Sequence, residues 1–188
     1  MELAAAMETL AMETIEYRIV DKTGWGDGPW QAAPDKRQWQ DKATGLPCLI
    51  VRNPIGALCG YVGVPAGHPV HGKGYDDVDV GVHGGLTFAD RCHEGAEEHS
   101  ICHKPAPGES DDVLWLGCDC AHAGDLSPQH AATMREIRVM PEFRRLPSPY
   151  MRDDTYKDIA YVEGEVQRLA AQLAALADAP AGSDSRPT

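Results

Sequence analysis

Apolar and polar residues alternate along the first two thirds of the chain in a way that predicts β-strands. Successive side chains of a strand point to opposite faces, so a half-buried strand alternates and a strand buried on both faces is apolar throughout. Five segments fit one of these patterns: residues 15–20, 48–52, 57–64, 79–83 and 113–117. The second and third flank a short turn and predict a hairpin, and the last, apolar on both faces, predicts an interior strand.

The C-terminal part of the chain shows helical spacing. Apolar residues recur there at alternating intervals of three and four: Ile159, Val162, Val166, Leu169, Leu173 and Leu176. This spacing predicts an amphipathic helix that ends near Ala177, and Thr155 with Asp158 resembles the capping box of a helix start. Residues 131–139 fit either a short helix or a strand.

Together these elements predict an α+β fold, with a mostly antiparallel sheet, long loops and a C-terminal amphipathic helix. Residues 1–14 are expected to be an N-terminal extension, residues 15–150 the core domain and residues 151–177 the helix. Residues 178–188 are rich in Pro, Gly, Ser and Asp, and are expected to be a disordered tail.

The charge of the chain limits its partners. The formal net charge is −12, whereas non-specific nucleic-acid binding needs a surface rich in Lys and Arg, so we expect no nucleic-acid partner. No apolar run approaches the roughly 20 residues of a membrane-spanning helix, so we expect no membrane association. The N-terminus lacks the basic region of a secretory signal, which predicts a cytoplasmic location.

Residues that bind metals or move protons are concentrated in the middle of the chain. Seven of the eight histidines and four of the six cysteines lie between His68 and His122. A random scatter would not leave the C-terminal third almost free of them. The candidate chemistry therefore lies in this middle segment.

Asp119, His122 and Asp125 follow directly on the apolar strand predicted over residues 113–117. A strand end holds side chains rigidly while the next loop turns into a crevice. Asp119 and His122 would supply an oxygen and a nitrogen to a metal ion, or form a carboxylate-oriented imidazole that acts as a general base. Asp125 would add a second carboxylate. The competing interpretation is that a carboxylate caps a turn and His122 is hydrogen-bonded in the core.

His83 is the second candidate, at the end of the strand predicted over residues 79–83. Gly84 and Gly85 follow it, and their lack of side chains would let backbone N–H groups approach an anion beside Thr87. The competing interpretation is an ordinary Gly-Gly bend next to a half-exposed histidine. We expect His83 and His122 to converge on one cleft, less than about 10 Å apart.

These segments predict two overlapping sets of residues. The catalytic set is Asp119, His122, His83 and Asp125. The metal-binding set is His83, His122 and Asp119, and the expected ion is zinc or another divalent metal.

A glycine-rich loop supplies three further ligand-binding candidates, His71, Lys73 and Tyr75. Lys73 lies between two glycines, where its ammonium group would meet a phosphate or carboxylate. The alternative is a solvated loop with no ligand.

The cysteines allow several interpretations. In a reducing compartment they are expected to be thiols, buried hydrophobes or metal ligands before they are disulfides. Cys92 and Cys102 lie in a long polar loop that a structural zinc ion would order, and a disulfide between them is the alternative. Cys48 and Cys59 are expected to face each other across the predicted hairpin as core thiols.

Longer blocks of the sequence resemble an uncharacterised family of small proteins from tailed bacteriophages and actinobacterial-type genomes. The blocks include GYVGVPAGHP, VHGGLT, DCAHAGD and the closing TYKDIAYVEGEVQRLAAQL. In the family pattern, the strand that leads into the third block ends in Gly-Phe-Asp-Cys. Here Cys118 occupies the position of the Phe, which argues against Cys118 as a ligand. The resemblance brings no established activity, and it implies a phage accessory protein that works in the host cytoplasm.

Three functions compete on this basis. The first is a small-molecule hydrolase, with a nucleotide-like substrate, in which His122 or His83 is base or metal ligand. The second is a non-catalytic protein that sequesters a small nucleotide-like ligand with the same residues. The third is a structural protein whose C-terminal helix forms a homodimer. The narrow apolar stripe of that helix favours a second chain as its cover, and the chain's own sheet is the alternative.

Overall fold

The computed structural model describes residues 13–92, 97–105, 110–140 and 154–179. Within these residues, six strands and two α-helices form an α+β fold, as the pattern of the sequence predicts. The strands are β1 (Ile15–Tyr17), β2 (Lys36–Gln40), β3 (Pro47–Arg52), β4 (Leu58–Pro65), β5 (Phe88–Arg91) and β6 (Val113–Asp119), and the helices are α1 (Pro128–Val139) and α2 (Ile159–Asp178). Most of the predicted extension and nearly all of the predicted tail lie outside the described residues.

The strands form a single sheet in the order β1-β2-β3-β4-β6-β5, and every neighbouring pair is antiparallel. The predicted hairpin is confirmed as β3 and β4, joined by the turn in which the Gly56 N–H bonds to the Asn53 carbonyl. β6 lies between β4 and β5, and its first six residues are buried. The prediction of an interior strand at this position is therefore confirmed.

β2 is a strand that the apolar pattern does not reveal. Lys36 and Gln38 are polar but fully buried. The Lys36 ammonium donates to the carbonyls of Glu97 and Cys102, and the Gln38 side chain exchanges two hydrogen bonds with the backbone of Lys104. Burial of these polar groups is tolerated because each finds partners in the loop that covers them.

The strand predicted over residues 79–83 is wrong. The segment is extended, but its backbone bonds to side chains of α2 instead of to a strand. Gln172 both accepts from the N–H of Gly81, at 2.8 Å, and donates to its carbonyl, at 2.9 Å, and Glu165 accepts from the N–H of His83 at 3.0 Å. The valines still alternate in burial because one side of the segment packs on the core. The alternating pattern therefore predicts the burial of this segment correctly but not its hydrogen-bond partner.

One face of the sheet is covered by α2. The apolar seam of the helix packs on sheet residues that include Ile50, Leu58, Val62 and Leu116. Gly60 permits this approach, since a Cβ there would lie 2.6 Å from Val166. The seam is thus covered by the chain's own sheet, which removes the argument that it needs a second chain. Pairing of two chains stays a prediction without that support.

The start of α2 differs from the prediction. Asp158 is the N-cap, and its side chain accepts from the N–H of Tyr161 at 2.9 Å. The helix therefore begins at Ile159, and Thr155 is not its N-cap; residues 151–153 of the predicted helical segment lie outside the described residues. Thr155 forms an isolated parallel bridge with Asp125, which ties the segment before α2 to the loop after β6.

The opposite face of the sheet is covered by residues 97–105. The covered core includes Leu49, Tyr61 and Trp115, with Ile101 packed against it. Cys92 and Cys102 are joined by a disulfide, in agreement with the second interpretation of that pair. The expectation that the cysteines are thiols holds for the other four, which are free and buried.

Cys48 and Cys59 do not face each other as predicted. Cys48 pairs with Val62 and Cys59 with Val51, so the two thiols lie on opposite faces of the sheet. Burial raises the pKa of Cys59 to about 11 and that of Cys118 to about 12. Both groups are therefore neutral thiols at physiological pH, and a thiol binds metal well only as a thiolate.

In the part of the chain that the structure describes, neither helix combines the length and the apolar character that crossing a membrane requires.

Candidate functional site

The loop after β6 places three of the predicted residues. Asp119 ends the strand, and its side chain accepts from the N–H of Ala121 at 3.0 Å. Asp125 turns back on the same loop, and its Oδ2 accepts from the N–H of His122 at 3.0 Å. These local hydrogen bonds are typical of Asp in turns. They hold His122 between the two carboxylates.

His83 reaches the same place from the segment that runs along α2. Gly84 and Gly85 follow it with φ of 67° and 87°, in the left-handed region that favours glycine. A Cβ at Gly84 would lie 2.1 Å from Cε1 of His122, so Gly84 provides the space that the His122 ring occupies. One of the backbone N–H groups predicted to bind an anion is already engaged, because the Gly85 N–H donates to the carbonyl of Val82 at 3.1 Å.

The four residues of the predicted catalytic set come together. His83 Nε2 lies 2.7 Å from Asp125 Oδ2, and the His83 and His122 rings are 5.3 Å apart, edge to face. His122 Nδ1 lies 3.6 Å from Asp125 Oδ2 and 3.7 Å from Asp119 Oδ1. The separation of the two histidines is well inside the expected limit of about 10 Å.

Three of these residues, His83, His122 and Asp125, form what we call the His–Asp cluster. Each offers one metal-ligating atom, and the three atoms lie within 4.8 Å of one another. Asp125 thus occupies the position that the sequence suggested for Asp119 in the metal-binding set. The physical reason is position: Asp125 Oδ2 contacts both imidazoles, whereas the ion-pair contact of Asp119 in the described part of the chain is with His122.

The charge of Asp125 is fixed by its surroundings. Its side chain is only 4% exposed, and this burial would raise its pKa. The hydrogen bonds from His83 and from the N–H of His122, with the nearby Lys157 ammonium, outweigh burial and lower the pKa of the carboxyl below its usual range. Asp125 is therefore an ionised hydrogen-bond acceptor at neutral pH.

His122 Nδ1 lacks a hydrogen-bond partner among the described residues, as does His71 Nε2 in the glycine-rich loop. The His122 atom is buried, and its nearest carboxylate oxygens, at 3.6 and 3.7 Å, are too far for a hydrogen bond. A buried polar atom without a partner is costly, which makes such atoms good markers of an ion or ligand site.

The approach of α2 adds residues that the sequence did not indicate. The Tyr161 hydroxyl lies 2.9 Å from His83 Nδ1, and Lys157 Nζ lies 3.6 Å from Asp125 Oδ1. Glu165 is 2% exposed, and its side chain accepts from the N–H of His83. Its place between Val162 and Val166 on the apolar seam was the one available signal, whereas Tyr161 had none.

Thr87 lies beside the site, where its hydroxyl accepts from the N–H of Asp119 at 3.2 Å. The other predicted ligand-binding loop lies elsewhere. His71 Nε2 is 3.6 Å from Asp112, just before β6, and the length of that strand, about 20 Å, separates Asp112 from Asp119. Lys73 and Tyr75 are exposed in the same loop. The structure does not bring these three residues to the His–Asp cluster.

Comparisons with protein-family models, with curated proteins and with solved structures found no match. The predicted relation to phage proteins accordingly stays a prediction. Function must be argued from the site itself.

The chemistry open to the cluster follows from its donors. Two imidazoles and one carboxylate are the ligand set of catalytic zinc sites that leave one position for water. The same groups without a metal form a carboxylate-oriented imidazole, which is a general base. Which of these applies depends on the unpartnered His122 nitrogen.

Proposed function

We propose that the His–Asp cluster binds a divalent metal ion, zinc in the first instance, and that the protein is a hydrolase of small molecules. The observation that carries this proposal is the convergence of His83, His122 and Asp125 within 4.8 Å around a buried His122 nitrogen that lacks a partner. An ion between these atoms would satisfy that nitrogen. It would also neutralise the charge of Asp125.

One of the distances between the cluster atoms is close to that of a zinc site. Two ligands each bonded to a tetrahedral zinc ion at about 2.0–2.1 Å lie about 3.3–3.4 Å from each other. His122 Nδ1 and Asp125 Oδ2 are 3.6 Å apart. His83 Nε2 and Asp125 Oδ2 are 2.7 Å apart because a proton joins them. A metal ion that replaced this proton would need them to separate by about 0.6 Å, which a side-chain rotation supplies.

Three protein ligands would leave the fourth position of zinc for a water molecule. A zinc ion held by His83, His122 and Asp125 would supply a water of lowered pKa for attack on an ester, amide or phosphate. The carboxylate of Asp119 is partly exposed beside His122, where it would accept a proton from that water. Hydrolysis then adds the hydroxide to one product and the proton to the other.

The substrate class is proposed on different grounds. The resemblance to phage proteins supports a phage-type accessory protein acting in the host cytoplasm on a nucleotide-like molecule. In that setting the partner is a small molecule and not nucleic acid or a membrane, in keeping with the net charge of −12.

Zinc analysis of the purified full chain tests the proposal. After dialysis against micromolar zinc and then zinc-free buffer, we expect one zinc ion per chain. His83→Ala, His122→Ala and Asp125→Asn should each retain little zinc, while His99→Ala, an exposed histidine elsewhere, should retain it fully. Absence of zinc from the unmodified chain, together with no binding of manganese or cobalt, would overturn the proposal.

A non-catalytic binding protein is the second candidate, and one observation favours it. The hydrogen bond from His83 to Asp125 is already made at 2.7 Å, so the side chains of the cluster are ordered without an ion. Incubation of the chain with a panel of nucleotides separates the two functions. Turnover that His122→Ala removes supports the hydrolase, and stoichiometric binding without turnover supports sequestration.

A further inference from the structure

Tyr161 contacts the His–Asp cluster directly at His83. Its hydroxyl lies 2.9 Å from His83 Nδ1, the nitrogen that faces away from Asp125. The two rings meet edge to face with centroids 5.5 Å apart. Lys157 Nζ lies 5.0 Å over the tyrosine ring. The side chain is 39% exposed, so its position is not a consequence of burial in the core.

The hydrogen bonds of His83 define its tautomer in the metal-free chain. Asp125 is ionised and can only accept, so the proton of a neutral His83 is on Nε2. Nδ1 then has a lone pair and accepts from the Tyr161 hydroxyl. The tyrosine is the donor in this state.

Metal binding would require the other tautomer. Nε2 points into the cluster, so it must give up its proton to coordinate the ion. A neutral imidazole then carries its one proton on Nδ1. The proton lost at Nε2 goes to solvent and the one gained at Nδ1 comes from solvent, so the number of protons on His83 is unchanged. Nδ1–H now needs an acceptor, and a hydroxyl group can accept as well as donate.

We infer that Tyr161 is a positioning residue of the metal centre, whose hydroxyl exchanges its role from donor to acceptor as His83 changes tautomer. This inference rests on the proposed metal site. The partner of the second imidazole nitrogen fixes the tautomer and ring orientation of a metal-bound histidine. Tyr161 does so here from the first turn of α2, which is itself fixed by the Asp158 cap and by the bond from His83 N–H to Glu165.

Tyr161→Phe tests the inference because it keeps the ring and removes only the hydroxyl. Loss of such a partner lowers metal affinity by about 10- to 100-fold, and we expect this loss in a competition titration of zinc against a chelator. Thermal unfolding of the metal-free variant should match that of the unmodified chain. Tyr75→Phe, in an exposed loop away from the cluster, is the matched control and should leave zinc affinity unchanged.

A spectroscopic measurement separates positioning from packing. In the zinc-loaded chain with ¹⁵N-labelled histidine, His83 should show a proton on Nδ1 that exchanges slowly with water, and in Tyr161→Phe this signal should be lost. Equal zinc affinity of the unmodified chain and Tyr161→Phe would overturn this inference alone. Failure of the unmodified chain to take up zinc would overturn the metal site as well.

Discussion

Gly84 is the residue on which the position of His122 depends. A Cβ at this position would lie within 2.1–2.6 Å of three atoms of the His122 ring. The ring is the end of a side chain and can rotate away, so Gly84→Ala should leave the chain folded and displace His122 from the cluster. We predict a loss of zinc affinity of at least tenfold, measured by the same chelator competition.

Gly85→Ala is the control for backbone strain at the neighbouring position. Gly85 also has positive φ, at 87°, but nothing lies near its missing Cβ. Both substitutions should therefore cost about 1–2 kcal/mol of unfolding free energy, and only Gly84→Ala should weaken zinc binding. Equal zinc affinity in the two variants would show that His122 is not held by this contact.

Asp35 is a buried charged residue whose replacement should lower the stability of the fold. Its carboxylate accepts from Lys22 and Arg52, each at 2.7 Å, and from two backbone N–H groups. Burial would raise the pKa of Asp35, but these hydrogen bonds outweigh burial and lower it. A carboxyl whose pKa is lower in the folded chain than in the unfolded chain stabilises the fold at pH values above its unfolded pKa, about 3.9. This stabilisation is lost as the pH falls through the pKa of the folded chain.

We therefore predict that Asp35→Asn lowers the unfolding free energy by about 3–5 kcal/mol at pH 7, because two buried cations lose their counter-charge. The difference in unfolding free energy between the unmodified chain and the variant should become smaller as the pH falls below about 4. Urea unfolding at a series of pH values measures it. A gap that stays constant down to pH 2 would contradict this assignment.

At the scale of elements, the loop over residues 97–105 depends on the Cys92–Cys102 disulfide. Closing a loop of this length lowers the entropy of the unfolded chain by an amount worth about 3 kcal/mol. We predict that the Cys92→Ser, Cys102→Ser double variant loses about this much unfolding free energy. Addition of a reductant should lower the stability of the unmodified chain equally and leave that of the double variant unchanged.

The same variant also separates the two places where metal was expected. Residues 97–105 cover the sheet face that carries Trp115, and the His–Asp cluster lies toward α2. Zinc uptake by the double variant should therefore equal that of the unmodified chain. Loss of zinc there would move the metal to the cysteine loop and make it structural.

The elements that the sequence predicts correctly are those whose burial follows a period. β3, β4, β6 and α2 are of this kind, because one face or both faces of each are apolar. The sequence pattern does not predict β2, because Lys36 and Gln38 form their hydrogen bonds with a loop more than 60 residues away. A periodic pattern contains no information about such a partner.

The candidate site divides in the same way. Asp119, His122 and Asp125 are neighbours in sequence, and a strand end followed by a turn places them together. Tyr161 lies 78 residues from His83, and only the packing of α2 on the sheet brings the two into contact. Sequence spacing cannot indicate a contact of that kind, so the sequence does not predict that Tyr161 contacts His83.

At the scale of the whole molecule, α2 connects the core to the site. Leu169 and Leu173 are almost completely buried on the sheet, while Tyr161 and Glu165 of the same helix contact His83. We predict that Leu169→Ala lowers the unfolding free energy by about 2–5 kcal/mol. Leu176→Ala, at a partly buried position near the helix end, should cost clearly less. Equal costs in urea unfolding would show that the seam is not seated on the sheet as described.

The central claim is that His83, His122 and Asp125 hold a metal ion, and anomalous diffraction tests it most directly. Crystals of the full chain grown with zinc should be measured on both sides of the zinc absorption edge. We predict one strong difference peak within about 2.0–2.2 Å of a nitrogen of each histidine and an oxygen of Asp125. A cluster without a peak in crystals that contain zinc, or a peak beside His99 or His103 instead, would contradict the account.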